Sequence, residues 1–101
     1  MPPLPIEYHP DAVSEAAAAR SWYAEVNPRL GVAFADELAW ATDQIAVAPE
    51  RWTQYRHGTR ILMFRRFPYV VIYRQLDDRV QIIAVHHAKR RPDYWRIRVR
   101  E

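Results

Sequence analysis

YVVIYRQLDDRVQIIAVHH, residues 69–87, decides the fold. Its opening, 69–76, is crowded with β-branched and aromatic side chains, which suit a pleated surface, and reads as a central strand. Asp77-Asp78 reads as a tight turn, because aspartate tolerates the dihedrals a turn requires. RVQIIAVHH, 79–87, is then the returning strand. ILMFRRF, 61–67, supplies one more strand upstream, so the second half of the chain reads as an antiparallel three-stranded meander.

Strands this apolar need cover, and the first half of the chain supplies it. Ala12, Ala16, Ala19, Tyr23 and Val26 follow the spacing of one helical face. Pro10-Asp11 opens that helix, since proline and aspartate suit a first turn. Asn27-Pro28 stops it, because a residue before proline avoids the helical region. NPRLG reads as a loop into a second helix over about 31–48, where Phe34, Leu38, Ala41, Ile45 and Ala48 repeat the spacing. Pro49 ends it. LPIEYH, 4–9, reads as a short edge strand after its prolines. ERWTQYRHG, 50–58, has no clear period and reads as a loop. The order is therefore strand, helical hairpin, meander, which predicts an α+β layer with the hairpin on one sheet face. PDYWRIRVR, 92–100, fits a short helix, a final strand or an ordered extension equally well.

Composition narrows the function classes. The 101 residues suit one domain over 1–101, and half of them are hydrophobic, which argues for an ordered core over a disordered binder. There is no cysteine, so disulfides and thiolate metal or redox sites are excluded. His9, His57, His86 and His87 lack zinc-site spacing. Glycine stands only at 31 and 58, so no phosphate-cradling loop exists. No cofactor or metal is expected. No apolar run approaches the ~18 residues of a membrane span, and MPPLPIEY lacks the features of a signal peptide, so the expected location is the cytoplasm.

The charge is divided along the chain. Residues 1–50 carry two arginines against eight acids, net −6; residues 51–101 carry thirteen cations against four acids, net +9. Every cation but Lys89 is arginine, which suits bidentate contact with carboxylate or phosphate and stacking on rings. HHAKRRPDYWRIRVR, 86–100, concentrates this character. It fits a solvated end, a nucleic-acid grip, an active site or a docking surface. His86 and His87 point to opposite faces of a strand and cannot act together. Tyr94-Trp95 suits either base stacking or locking the tail onto a core. Trp22 and Trp40 flank their helices' apolar stripes, as partner contacts or as a broadened core. Arg65 and Arg66 alternate, so at most one of them faces a given surface.

With NPRLGVAFADEL, APERW, RRFPYVVIYR and VQIIAVHHAKRRPDYW all present, the chain over roughly 5–98 resembles the RelE/ParE superfamily of toxins from type II toxin–antitoxin modules, and its ParE-type branch most closely. The resemblance implies a curved antiparallel sheet with a helical hairpin and a cognate ParD-like antitoxin. It also implies one of two activities: non-enzymatic poisoning of DNA gyrase, or metal-free cleavage of mRNA on the ribosome. When the nuclease pattern is set on its shared tyrosine at Tyr69, its two lysines fall on Ile61 and Met63 and its arginine on Val70. Only Arg90 and Tyr94 match, with His87 beside them. Apolar residues at three of the five positions favour the gyrase poison, without catalytic residues. Target contacts are then expected from Arg65, Arg90, Arg91, Tyr94 and Trp95, and antitoxin contacts from Trp22, Trp40, Ile61 and Met63. In the nuclease alternative, His87, Arg90 and Tyr94 would be catalytic.

Overall fold

A computed structural model describes residues 2–100; Met1 and Glu101, included in the expected domain, lie outside the described residues. Strand β1 (Ile6–Tyr8) leads into helices α1 (Pro10–Val26) and α2 (Pro28–Val47). Strands β2 (Thr53–Gln54), β3 (Arg60–Met63), β4 (Tyr69–Gln75) and β5 (Val80–His87) follow. The sheet order is β1-β5-β4-β3-β2, with β1 parallel to β5 and every other pair antiparallel. The expected meander is β3-β4-β5. The segment read as a loop over 50–58 adds the short edge strand β2 and a 3₁₀ turn at Arg56–Gly58.

The helical hairpin is tighter than expected. No NPRLG loop forms, because Asn27 alone serves both helices. Its N–H donates to the Tyr23 carbonyl at 3.0 Å, ending α1, while its side-chain oxygen accepts from the Arg29 N–H at 2.9 Å, starting α2. Pro28 then occupies the first helical turn, where its missing N–H costs nothing. Gly31 is what lets the helices approach after so short a hinge: a Cβ there would stand 2.7 Å from the Ala24 Cβ.

Both sheet faces are covered. Against the helices, Leu62, Val71, Tyr73 and Val85 pack with Ala12, Phe34, Ala41 and Ile45. Tyr73 is wholly buried, donates its hydroxyl to the Pro49 carbonyl at 2.6 Å, and has its phenol pushed up to about 12 by that burial. On the other face, Val70, Ile72, Ile83 and Ala84 form a second core around Trp95. A bulge at Ile72/Tyr73 breaks the pairing of β4 with β5, and Ile83 falls in the break.

Candidate functional site

Beyond β5 the chain turns on its own backbone. The Arg90 N–H donates to the His87 carbonyl at 2.9 Å, and the Lys89 N–H donates to the His87 ring at 3.0 Å. Residues 93–100 then form an arm across the second sheet face, ending in a 3₁₀ turn at Arg96–Arg100. Of the three forms open to this segment, no strand forms: turns over 92–95 lead into the short 3₁₀ helix. Two side-chain fastenings hold the arm, Trp95 lies fully buried between them, and Arg74 of β4 also donates to the Val99 carbonyl at 2.7 Å.

The outer fastening joins the two non-glycine residues with positive φ among the described residues, His57 (58°) and Asp93 (72°). The Asp93 carboxylate meets the His57 ring and the Arg56 guanidinium, each at 3.2 Å. Aspartate enters this backbone region more readily than most residues, and here its side chain ties the arm to the β2–β3 turn. The inner fastening is Glu15 of α1. Its carboxylate accepts from the Tyr94 hydroxyl at 2.5 Å, from both terminal nitrogens of Arg98 at 2.9 and 3.0 Å, and from the Val85 N–H at 3.1 Å. Arg98 also donates to the carbonyl of Ile83 at 3.0 Å.

These contacts set the local ionisation. Burial alone would raise Glu15, but the bonds from Arg98, Tyr94 and Val85 outweigh it and hold the carboxyl below the usual range. Burial and the bond to Glu15 push the Tyr94 hydroxyl far above an ordinary phenol. Burial lowers His86, and the charges of Arg90 and Arg98 add to that, against the opposing pull of the His87 carbonyl and Glu15. The His86 Nδ1 lies 2.7 Å from the His87 carbonyl, so it carries the proton.

Glu15, Ala18, Trp22, Tyr69, His87 and Arg90 line a groove of about 310 Å³ between α1 and the end of β5. The Arg90 guanidinium lies 3.6 Å over the Tyr94 ring and 3.6 Å from Glu15, with half of its side chain exposed. Trp22 is 61% exposed, and Arg91 is exposed beyond the groove. The structure thus brings together Trp22, expected at the antitoxin, Arg90 and Tyr94, expected at the target, and His87, expected only in the nuclease alternative.

Other expected site residues lie apart. Arg65 stacks 3.7 Å from the Trp40 ring and is bonded to the buried Glu37, which also accepts from the Arg66 N–H at 2.6 Å. Burial would raise Glu37, but these bonds hold it low. Arg65 therefore fastens the β3–β4 corner to α2, though half its side chain stays exposed. Met63 is 63% exposed, whereas Ile61 is half-buried in the second core, on the face away from Trp40. Trp95 is a correction: expected at the target, it is fully buried in the second core, with Tyr94 and Val99 packed beside it. Sequence reasoning missed Glu15, Glu37, Asp93 and Arg98.

Among the described residues no group of histidines and acids is placed to hold a metal ion. Nor is any helix among them long and apolar enough to cross a membrane.

A helical hairpin covers one face of the five-stranded sheet and a basic arm covers the other. The family described as "ParE toxin of type II toxin-antitoxin system, parDE" matches residues 6–92, and the chain belongs to it. A solved chain from "Chromosomal ParDE TA system from P. aeruginosa" is similar in fold, with a TM-score of 0.73 over 83% of this chain and 95% of that one at 14% identity. No curated protein sequence matches.

Proposed function

We propose that this ParE-family toxin acts in the cytoplasm as a non-enzymatic poison of DNA gyrase, held in check by a cognate ParD-like antitoxin. The observation that carries this reading is the commitment of the Tyr94 hydroxyl to Glu15. A phenol bound to a carboxylate and held far above its ordinary pKa is a poor proton donor or acceptor for a ribose or a leaving oxygen. The neighbouring face offers no replacement. Val70 is buried, Ile61 is half-buried and Met63 is a thioether, so none of the three can stabilise a phosphorane.

Docking then rests on exposed groups. Arg90 and Arg91 supply charge to an acidic surface of the target, Tyr94 supports Arg90, and Arg65 contributes only its free edge. The antitoxin covers Trp22 and Met63, the two exposed members of its expected set, with lesser contributions from Trp40 and Ile61. A permanent complex of this kind buries on the order of 2,000 Å² or more.

One observation favours the nuclease: His87 and Arg90 line a single groove, with the Tyr94 ring beneath Arg90. The two readings separate when purified toxin is tested in a gyrase supercoiling assay beside a ribosome-programmed mRNA cleavage assay. Lost supercoiling with intact mRNA supports the poison. Cut mRNA with normal supercoiling overturns it.

A further inference from the structure

Glu15 is the main point where α1 meets the arm, with Asp11 of the same helix also 3.6 Å from Arg98. The Glu15 side chain is 13% exposed, and Arg98, its bidentate partner, is 10% exposed. Burying such a pair is expensive, and apolar residues of similar size often serve stability as well or better. Mere cover for the second core would therefore not require a carboxylate at this position. What the carboxylate adds is direction: its donors come from the strand at Val85 and from the arm at Tyr94 and Arg98, which fixes the arm against β5 in one register.

The exposed Arg90 depends on the same point. Its guanidinium rests on the ring of Tyr94, and the hydroxyl of that ring is bonded to Glu15. A chain of contacts thus runs from α1 through Tyr94 to the cation at the groove's rim.

We propose that Glu15 is a positioning residue for toxicity: it holds residues 93–100 in place and through Tyr94 orients Arg90 toward the target. This rests on the reading that Arg90 and its neighbours contact the target, but not on which target it is.

The test uses the purified full-length toxin and induced growth arrest with Glu15→Gln, Glu15→Leu and Arg90→Ala. Trypsin cleavage after Arg96 and Arg98, followed by mass spectrometry, reports how much of the time the arm is open, because proteolysis tracks the open population when closing is fast. Circular dichroism confirms that each variant folds. Glu15→Leu keeps an apolar cover and removes both carboxylate oxygens, leaving Arg98 the Ile83 carbonyl and Asp11; Glu15→Gln keeps the shape and removes the charge. Arm cleavage is expected to rise about tenfold or more in Glu15→Leu and less in Glu15→Gln, with toxicity falling in the same order. Arg90→Ala is expected to lose toxicity with its arm still protected.

A folded Glu15→Leu with full toxicity overturns the proposal, as does lost toxicity with a protected arm, which would make Glu15 itself the contact. If Glu15→Leu does not fold, Glu15→Gln decides: a loosened arm with undiminished toxicity overturns the proposal, and a graded loss supports it. Full toxicity in Arg90→Ala would instead sink the reading of the target contact. Arm opening in the Glu15 variants would still measure the clamp.

Discussion

On one face of the sheet, α1 and α2 press Ala12, Phe34, Ala41 and Ile45 onto Leu62, Val71 and Val85; on the other, a short arm presses Trp95 onto Val70, Ile72 and Ile83. The helical cover spreads its contacts over two long stripes and an aromatic cluster of Tyr23, Phe34, Phe64, Phe67 and Tyr69. The arm concentrates them in one indole, the side chain of Val99 and a few polar bonds. A distributed cover tolerates the loss of one contact. A concentrated one is held by a few specific bonds and is easier to displace.

The sharpest way to break this contrast is to remove the indole. Trp95→Ala should cost about 3–5 kcal/mol, the usual range for a buried tryptophan, and should free the arm to trypsin. Phe34→Ala should cost about as much but leave the arm protected, because its loss falls on the other face. Urea unfolding with limited proteolysis measures both effects. A Trp95→Ala loss near zero would mean that the arm adds no packing and that the second core stands without it.

The helical side has its own weak point at the hinge. Gly31→Ala forces its Cβ against Ala24, a helical residue with no flexible end to yield, so α1 and α2 must separate. The expected loss is ~1–3 kcal/mol in the same unfolding measurement. An unchanged midpoint would show that the hairpin opens at little cost.

Acid should strain the arm's face first. His86 is lowered in the fold, so below the ordinary imidazole value of ~6.5 the unfolded chain binds a proton that the native one resists. Stability should fall as the pH drops through that range and stop falling once folded His86 also titrates. Glu15 and Glu37 are held low, so their contribution is complete above the ordinary carboxylate value and is lost as the pH falls through their depressed folded values. Acid unfolding thus has an upper step belonging to the arm's face and a lower one shared by both covers. His86→Leu should erase only the upper step, since the His87 carbonyl still accepts from the Arg90 N–H. Urea midpoints across pH 5–8 that keep their slope in His86→Leu would remove His86 from this account.

The two covers also differ in how far they can be read from sequence. Periodicity places both helices and the central strands, because a stripe such as Phe34, Leu38, Ala41 and Ile45 repeats over many residues. The arm has no period to read: its fastenings join Glu15 to Arg98, 83 residues apart, and His57 to Asp93, 36 apart. A partial signal existed. Glu15 falls three residues after Ala12 and four before Ala19, and Glu37 sits between Phe34 and Ala41, so each acid lies on an apolar stripe and needs a partner. The basic half is where such partners were available. The sequence does not say which arginine answers which acid, because that depends on how the arm crosses the sheet. The same gap explains Trp95: as a letter beside Tyr94 it resembles a contact residue, and only its register on the arm turns it inward.

The smallest effect expected is also the one that separates poison from nuclease. Tyr94→Phe keeps the ring under Arg90 and the packing against His86, whose ring centroid lies 5.4 Å away. It removes one donor from Glu15, which retains Arg98 and the Val85 N–H. The arm should loosen slightly, and toxicity should fall by less than about tenfold, in line with the loss of a single hydrogen bond. A tyrosine serving as general acid or base would instead contribute about 10²–10⁴-fold. Growth arrest and arm proteolysis in this one variant therefore test the contrast at its finest grain. A small, parallel change in both fits a hydroxyl that fastens the arm. A collapse of toxicity with the arm still closed would mean that the hydroxyl acts on a substrate, and that the arm's face is an active site.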